Sequence, residues 1–338
     1  MTPVPPPSAG RTGSFTVARF LALLLLASAS TGAGRDGPGP GTSSAGSAHA
    51  VAPRPVPMSW AASAAAMYEV RPDMPGCRTG TIKDGVRAEM LARVNALRAL
   101  HQLPPVAYSH ADNAQVDQSS LMQAINSTLS HRPPRDWLCY TAVGSAGAGS
   151  SNLVGGWGNG LDWSTEDDYL GLWLTEGGGS DLGHRRWILD PFLDRIAYGR
   201  VAQQFPDGNR SDAASLKVFG SPGNRPADLP PFVAYPFGNY PARYFGPRDY
   251  LSFSVVANGG SRFANSAVNF SAVRVSVSQG TRRLAVGNLS YDNEGFGLPN
   301  NLQWQVAGLQ PNVTYTVRID GVMAAPQSSY QYSFRIVP

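Results

Sequence analysis

Apolar residues recur at helical spacing in the first half of the chain and alternate with polar residues in the second half. Apolar positions three and four residues apart predict amphipathic helices, and Pro104 and Pro133 follow the first two of them. Ser164 or Thr165 can cap the third helix, and Gly177 is a natural stop after Glu176. The three predicted helices cover about residues 83–100, 114–129 and 165–176. A glycine-rich loop is expected from 144 to 160.

Strand patterns take over after the third helix. Two short strands are predicted at 195–202 and 215–220, joined by a turn at 205–209. After Pro222 the chain is first rich in Pro and Gly and then alternates regularly, which indicates a β-sandwich. The alternating segments lie near 251–255, 273–277, 315–319 and 330–336. Residues 309–317, with Tyr315, resemble the tyrosine corner of fibronectin type III domains, which implies an immunoglobulin- or fibronectin-like sandwich.

The N-terminus has the features of an export signal. Arg11 and Arg19 precede a short apolar run, and small residues follow it up to Ala29. This run is too short to span a bilayer, so residues 1–29 are expected to be a cleaved signal peptide of a secreted, extracellular protein, with a retained anchor as the alternative. Residues 30–57 bury too little apolar surface to fold and are expected to form a disordered linker. No later segment is apolar for long enough to be a transmembrane helix.

Cysteine content and net charge predict a disulfide and argue against nucleic-acid binding. Cys77 and Cys139 are expected to form a disulfide, since an exported protein matures where thiols oxidise. A closed loop of about 60 residues would stabilise the fold by roughly 4 kcal/mol. The net charge of +4 is modest and the arginines are scattered, so nucleic-acid binding is not expected.

An ordered set of motifs lies between residues 86 and 221. It comprises Val94-Asn95-Ala96-Leu97-Arg98, Ser130-His131-Arg132-Pro133, Ser151-Asn152-Leu153, Trp173-Leu174-Thr175-Glu176 and Gly183-His184-Arg185. Together they resemble the CAP superfamily of cysteine-rich secretory, antigen and pathogenesis-related proteins, also called the SCP domain. The stretch 183–189 resembles the bacterial branch. The resemblance implies an α+β fold: a CAP-type α-β-α sandwich over 58–224, including an N-terminal extension, followed by the all-β sandwich over 225–338.

The resemblance also implies a cleft at which two histidines and two acids meet. His131, Glu176 and His184 match three of these positions, while Ser151 stands where the family has a glutamate. Some members bind zinc or another divalent cation there. Two imidazoles and one carboxylate can hold Zn²⁺ with an open fourth position, so His131, His184 and Glu176 are the candidate ligands.

Three functions stay open. The first is a secreted binding protein, without catalytic residues, whose cleft takes a small apolar or amphipathic ligand, a divalent metal or an extracellular protein. The second is a secreted peptidase or cell-wall hydrolase in which a histidine and Glu176 activate water. It lacks a nucleophile with its own base, since Ser151 and Ser180 show no nucleophile-elbow pattern. The third is an adhesion or scaffold protein that uses the β-sandwich.

Overall fold

The computed structural model describes residues 58–219 and 228–338. The expected signal peptide, the linker and the boundary between 224 and 225 lie outside the described residues. The described residues form one compact unit. Within residues 58–219 and 228–338, no helix is long and apolar enough to cross a membrane.

Six α-helices lie in the described part of the chain. They are α1 (Trp60–Met67), α2 (Asp84–Leu100), α3 (Asn113–Ile125), α4 (Ala142–Ala148), α5 (Glu166–Thr175) and α6 (Gly183–Ile188). The three predicted helices correspond to α2, α3 and α5, and α3 ends four residues earlier than expected. Thr165 caps α5 in a capping box with Asp168, which holds the first turn from both sides. The periodicity therefore located the helices that carry long apolar faces.

The prediction of a loop at 144–160 was wrong. This segment forms α4 and a strand, β4 (Ser151–Gly158). Its glycines serve close packing: a Cβ on Gly147 would lie 2.1 Å from the backbone oxygen of Gln115 in α3. A Cβ on Gly144 would lie 2.9 Å from the side chain of Met122 in the same helix. Glycine content suggested a flexible loop because sequence alone does not show which backbones approach each other.

The sheet of the first half has the strand order β3-β5-β6-β4. Its remaining strands are β3 (Ala107–Tyr108), β5 (Arg195–Gln204) and β6 (Arg210–Lys217). Strand β5 is parallel to β3 and antiparallel to β6, and β6 is antiparallel to β4. β6 begins at Arg210 and ends at Lys217, so the predicted 215–220 was displaced. The regular hairpin register from Gln204–Arg210 onward requires the earlier start.

Helices cover both faces of this sheet. Leu121 and Ala124 of α3 pack against Val201 and Ala213 on one face. On the other face, residues of α2 and α5 join Tyr198, Ala214 and Leu216 in the main core. A short hairpin of β1 (Tyr68–Val70) and β2 (Thr81–Ile82) stands apart from the main sheet. The layers therefore run helix, sheet, helix, which is the expected α-β-α sandwich.

The C-terminal part is strand-rich and forms two sheets, with orders β11-β10-β14-β15-β8 and β12-β13-β9-β7. The strands are β7 (Phe232–Tyr235), β8 (Gly238–Pro241), β9 (Leu251–Val255), β10 (Arg274–Gln279), β11 (Arg282–Leu284), β12 (Val286–Asp292), β13 (Asn301–Val306), β14 (Thr314–Asp320) and β15 (Ser329–Val337). All neighbours are antiparallel except β15 and β8. The fold class is therefore α+β. The four alternating segments seen in the sequence correspond to β9, β10, β14 and β15.

The predicted disulfide and the hydrogen bond typical of a tyrosine corner are both present. Cys77 and Cys139 form a disulfide, as expected. The Tyr315 hydroxyl accepts a hydrogen bond from the backbone N–H of Gln310, five residues upstream, which is the contact a tyrosine corner makes.

The core is continuous between the two halves of the described chain. Trp173 of α5 and Ile188 of α6 belong to the same buried cluster as Tyr235, Phe253 and Trp304 of the strand-rich part. The apolar side of a helix and the apolar face of a sheet must each pack against another element. Here α5 and α6 pack against the strand-rich part and bury each other's apolar residues. The strands therefore position α6, where one of the predicted cleft histidines lies.

Candidate functional site

His184 and Glu176 are in direct contact. His184 Nδ1 donates a hydrogen bond to Glu176 Oε2 at 2.6 Å, and the backbone N–H of Arg185 donates to Glu176 Oε1 at 3.1 Å. His184 is the second residue of α6, and Glu176 is the C-terminal capping residue of α5. Both carboxylate oxygens are thus used by the start of α6, so Glu176 orients His184.

The turn between α5 and α6 brings the two residues together. Glu176 has a φ of +52°, a left-handed conformation that costs roughly 1 kcal/mol or more in a residue other than glycine. Gly177 and Gly178 continue with positive φ angles of 60° and 80°. The side chain of Asp181 then accepts a hydrogen bond from the backbone N–H of Gly183 at the beginning of α6. The glycine run lets the chain reverse within a few residues.

His131 faces the same region from the segment after α3. Its Nδ1 donates to the backbone oxygen of Ala148 at 2.9 Å, at the end of α4. The side chain of Gln123 holds the preceding residue, Ser130, through hydrogen bonds to its backbone N–H and C=O. The ring centroids of His131 and His184 are 6.5 Å apart, with planes tilted by 39°. Two histidines 53 positions apart in the sequence therefore border one site.

Ser151 and Asn152 occupy the start of β4. The Ser151 side chain is buried, and its Oγ has no hydrogen-bond partner within the described residues. The Asn152 side chain donates to the backbone oxygen of His184 at 3.0 Å. Asn152 belongs to the Ser151-Asn152-Leu153 motif, although no role for its side chain follows from the sequence. Its contact ties the sheet to the helix that carries His184, so it is a positioning residue.

The surroundings of His184 favour its charged form. Burial disfavours the imidazolium, but the hydrogen bond to Glu176, the charge of Glu176 and the charge of Asp181 outweigh burial and raise the pKa of His184. Because Nδ1 is bound to Glu176, Nε2 is the ring nitrogen available to a ligand. It is an acceptor when the ring is neutral and a donor when the ring is protonated.

The predicted three-ligand metal set does not assemble. Both carboxylate oxygens of Glu176 accept hydrogen bonds, one from the His184 ring and one from the backbone N–H of Arg185, so Glu176 acts as the orienting partner of a histidine. Among residues 58–219 and 228–338, no group of three His, Cys, Asp or Glu side chains could hold a metal ion. The two imidazoles offer at most two nitrogen ligands, fewer than protein zinc sites use. The residues present therefore do not fit the expected zinc centre.

Aromatic rings lie along α6, the helix that carries His184. A Cβ on Gly183 would come within 3.7 Å of the Phe296 ring, which is 37% exposed. Trp187, one helical turn after His184, packs against Phe219 with ring centroids 4.2 Å apart. Phe296 comes from the segment between β12 and β13, so the strand-rich part contributes to the surroundings of the site. Sequence analysis missed Phe296 because no local pattern marks it.

Two consecutive arginines anchor α6 to the strand-rich part. Arg185 is buried and donates to the backbone oxygens of Leu174 and Tyr250, at 2.6 Å and 2.8 Å. Arg186 pairs with Asp292 at 2.8 Å and also donates to the backbone oxygen of Glu294. The segment that carries Phe296 is therefore fixed next to α6.

Comparison with known protein families agrees with this architecture. The model of the cysteine-rich secretory protein family, CAP, matches residues 91–206. The chain therefore contains a CAP domain, and the match covers all four predicted cleft positions. No curated protein matches the chain. The CAP assignment predicted from the ordered motifs is confirmed, while its bacterial branch stays a prediction.

Proposed function

We propose that this chain is an exported CAP-domain protein that binds a small amphipathic ligand at the His131–His184 cleft without converting it. The observation that carries the proposal is the state of the two imidazoles. Each ring has its Nδ1 fixed by the protein, which leaves both Nε2 atoms for a ligand. The partly exposed ring of Phe296, which lies against Gly183 at the start of α6, supplies apolar surface nearby.

The electrostatics favour a ligand with an anionic head group. A raised pKa keeps the His184 imidazolium populated at mildly acidic pH, and its Nε2–H then donates to the ligand. Charge-assisted hydrogen bonds to a carboxylate are about twice as strong as neutral ones. An apolar tail would lie against the aromatic rings, because contact removes apolar surface of both from water. The expected ligand class is therefore a carboxylate with an apolar chain.

A hydrolase is the second candidate, and the His184–Glu176 hydrogen bond favours it. A base oriented by a carboxylate is the arrangement that activates water or a hydroxyl group. The Ser151 hydroxyl is buried in β4 and does not provide an exposed nucleophile. Binding without turnover needs no exposed nucleophile, so it accounts for the site more simply than hydrolysis does.

Dodecanoate is a suitable probe of the cleft. Calorimetric titration at about pH 6 is expected to show binding that is about tenfold weaker in His184→Ala, because one charge-assisted hydrogen bond is lost. The matched control is His110→Ala, which removes an exposed imidazole elsewhere in the domain. Equal affinity of both variants, or recovery of a chemically altered dodecanoate, would refute the proposal. Loss of hydrolysis in Glu176→Gln would instead support the hydrolase.

Metal content tests the same arrangement independently. Protein purified without chelator is expected to carry zinc well below one ion per chain, because two imidazoles are the available ligands. Stoichiometric zinc that disappears in the His131→Ala/His184→Ala double variant would contradict this expectation.

Export is the cellular part of the proposal. The disulfide between Cys77 and Cys139 and the export signal in the first 29 residues both support it. N-terminal sequencing of the protein recovered from the culture medium is expected to begin near residue 30. Retention of the whole chain in the cytoplasm would refute export.

A further inference from the structure

Charge is divided unequally between the two halves of the described chain. Residues 58–219 carry 14 basic and 17 acidic side chains, whereas residues 228–338 carry eight arginines and five acidic side chains. Asymmetry of this kind points to an anionic partner for the basic half. The arginines are scattered along the sequence, so the fold decides whether they gather on one surface.

The five-stranded sheet of the strand-rich part gathers four of these arginines on its outer face. They are Arg274 of β10, Arg283 of β11, Arg318 of β14 and Arg335 of β15, and all four are exposed. The residues that alternate with them in β14 and β15, such as Val317 and Phe334, are buried in the core. Because side chains alternate between the two faces of a strand, the arginines point away from the core.

The strand register sets the spacing of the charges. Arg274 lies opposite Asp320, and Arg335 lies opposite Thr314, both in the strand that carries Arg318. With strands about 4.8 Å apart and about 3.4 Å per residue, the Cα atoms of Arg274 and Arg335 lie about 8 Å and about 14 Å from that of Arg318. They flank Arg318 on opposite sides along β14. The positive charges therefore extend over about 20 Å of open surface, which suits an elongated ligand with repeated anionic groups.

Asp320 is the acidic side chain that shares this face within the described strands, and it is already neutralised. It accepts hydrogen bonds from the Arg318 side chain at 2.9 Å and from the Ser329 hydroxyl at 2.7 Å. These bonds and the charge of Arg274 hold the pKa of Asp320 below its ordinary value. The other three arginines of the face form no ion pair within the described residues. The face therefore keeps an excess of positive charge.

Short polar side chains fill the space between the arginines. They are Asn239, Ser276, Ser278, Thr314, Thr316, Gln331 and Ser333. Their hydroxyl and amide groups can donate hydrogen bonds to sugar hydroxyl groups and accept hydrogen bonds from them. Within the five described strands, no aromatic side chain lies on this face.

This composition distinguishes between classes of anionic partner. Single-stranded nucleic acids are held by aromatic rings on which their bases stack, and duplex DNA is read by an element that enters a groove. A flat face without aromatic rings provides neither. Binding to a membrane surface uses an apolar face as well as cations. An acidic polysaccharide instead needs spaced cations with hydrogen-bonding groups between them, which this face supplies.

We infer that the outer face of the sheet β11-β10-β14-β15-β8 binds a linear acidic polysaccharide. Arg274, Arg283, Arg318 and Arg335 pair with its sulfate or carboxylate groups, and the short polar side chains between them bind its hydroxyl groups. This binding is independent of the function proposed for the histidine cleft.

Heparin is the probe, and dextran is its uncharged counterpart. Calorimetric titration of the full chain at low ionic strength is expected to show binding of heparin and no binding of dextran. The triple variant Arg274→Gln/Arg283→Gln/Arg335→Gln is expected to bind heparin about tenfold more weakly, because three exposed ion pairs with the polymer are lost. Arg318 is left in place because it neutralises Asp320.

The matched control is Arg71→Gln/Arg135→Gln/Arg248→Gln, which removes the same charge from exposed arginines elsewhere. It is expected to change heparin affinity by less than about twofold. Thermal unfolding of both triple variants verifies that they are folded.

The outcomes separate this surface from the cleft and from attraction by charge alone. Heparin affinity that falls in the sheet variant, and is unchanged in the control and in His184→Ala, supports the inference. Equal affinity of the two triple variants, or no measurable heparin binding to the unmodified chain, would overturn it. Duplex DNA or phosphatidylserine vesicles that bind as tightly as heparin at equal charge concentration would also overturn it, because the surface would then recognise charge without regard to the polymer.

Discussion

Replacing Arg185 by methionine tests how α6 is held against the strand-rich part. The guanidinium is 1% exposed and lies 3.7 Å above the ring of Tyr235. It donates to the backbone oxygens of Leu174 in α5 and Tyr250 before β9. Methionine keeps the length and the apolar stem of the side chain and removes the donors and the charge.

Two effects of opposite sign set the magnitude. The carbonyl oxygens of Leu174, in a buried contact, and Tyr250, in a partly buried one, lose their partner, at roughly 1–3 kcal/mol each, and the cation–π contact contributes about 1 kcal/mol more. Against this, no carboxylate in the described part of the chain pairs directly with Arg185, so its removal relieves part of the penalty for burying a charge. Both carbonyl groups stay at least partly buried after the substitution, so the loss of their hydrogen bonds dominates. We expect a destabilisation of about 3 kcal/mol.

Urea denaturation measures this change. The midpoint is expected to fall by about 1 M with an unchanged slope. The control is Arg318→Met, which breaks an ion pair whose arginine side chain is 54% exposed and is expected to change stability by less than about 1 kcal/mol. If Arg185→Met is as stable as the control variant, the buried guanidinium does not hold the two parts together and the reasoning fails.

Three further predictions follow from single contacts. Glu176→Gln is expected to lower the pKa of His184, as measured by NMR titration. A pKa that is raised in the folded state stabilises that state at pH values below the unfolded-state pKa, and this stabilisation is lost as the pH rises through the folded-state pKa. The variant should therefore lose more stability at about pH 5.5 than at about pH 8.5. Gly147→Ala is expected to cost about 3 kcal/mol, since its Cβ would lie 2.1 Å from a backbone oxygen of α3, and a urea midpoint within error of the unmodified protein would contradict this. Reducing the bond between Cys77 and Cys139, which are 62 residues apart, is expected to cost about 4 kcal/mol in the chain-entropy model, and an unchanged unfolding temperature under reductant would argue against it.

The helices and strands with long, regular apolar faces could be predicted from the sequence. Helix α2 repeats apolar residues at helical spacing over 17 residues, and β15 alternates buried and exposed positions along most of its length. Short elements were missed: α4 has seven residues, among them two glycines that favour a loop assignment. Their formation depends on packing against α3, which no local pattern shows.

The candidate site was likewise predictable in part: its residues could be named from the sequence, but their contacts could not. Motif order in the sequence identified the CAP domain, and it predicted His131, Ser151, Glu176 and His184 as the cleft positions within it. It assigned Glu176 to a metal, whereas in the structure the carboxylate holds His184 and the backbone N–H of Arg185. A sequence gives the type of a side chain, but the partner that takes its lone pairs depends on which backbone groups are within about 3 Å.

The sequence by itself determined the fold class, the CAP domain and the disulfide pairing, because these depend on residue type, periodicity and order. Only the tertiary structure decided that Phe296 lies beside Gly183 and that Arg185 spans from α6 to the strand-rich part. Those features arise between residues far apart in the chain. Their free energy comes from burying surfaces and charges against each other, which a linear pattern does not contain.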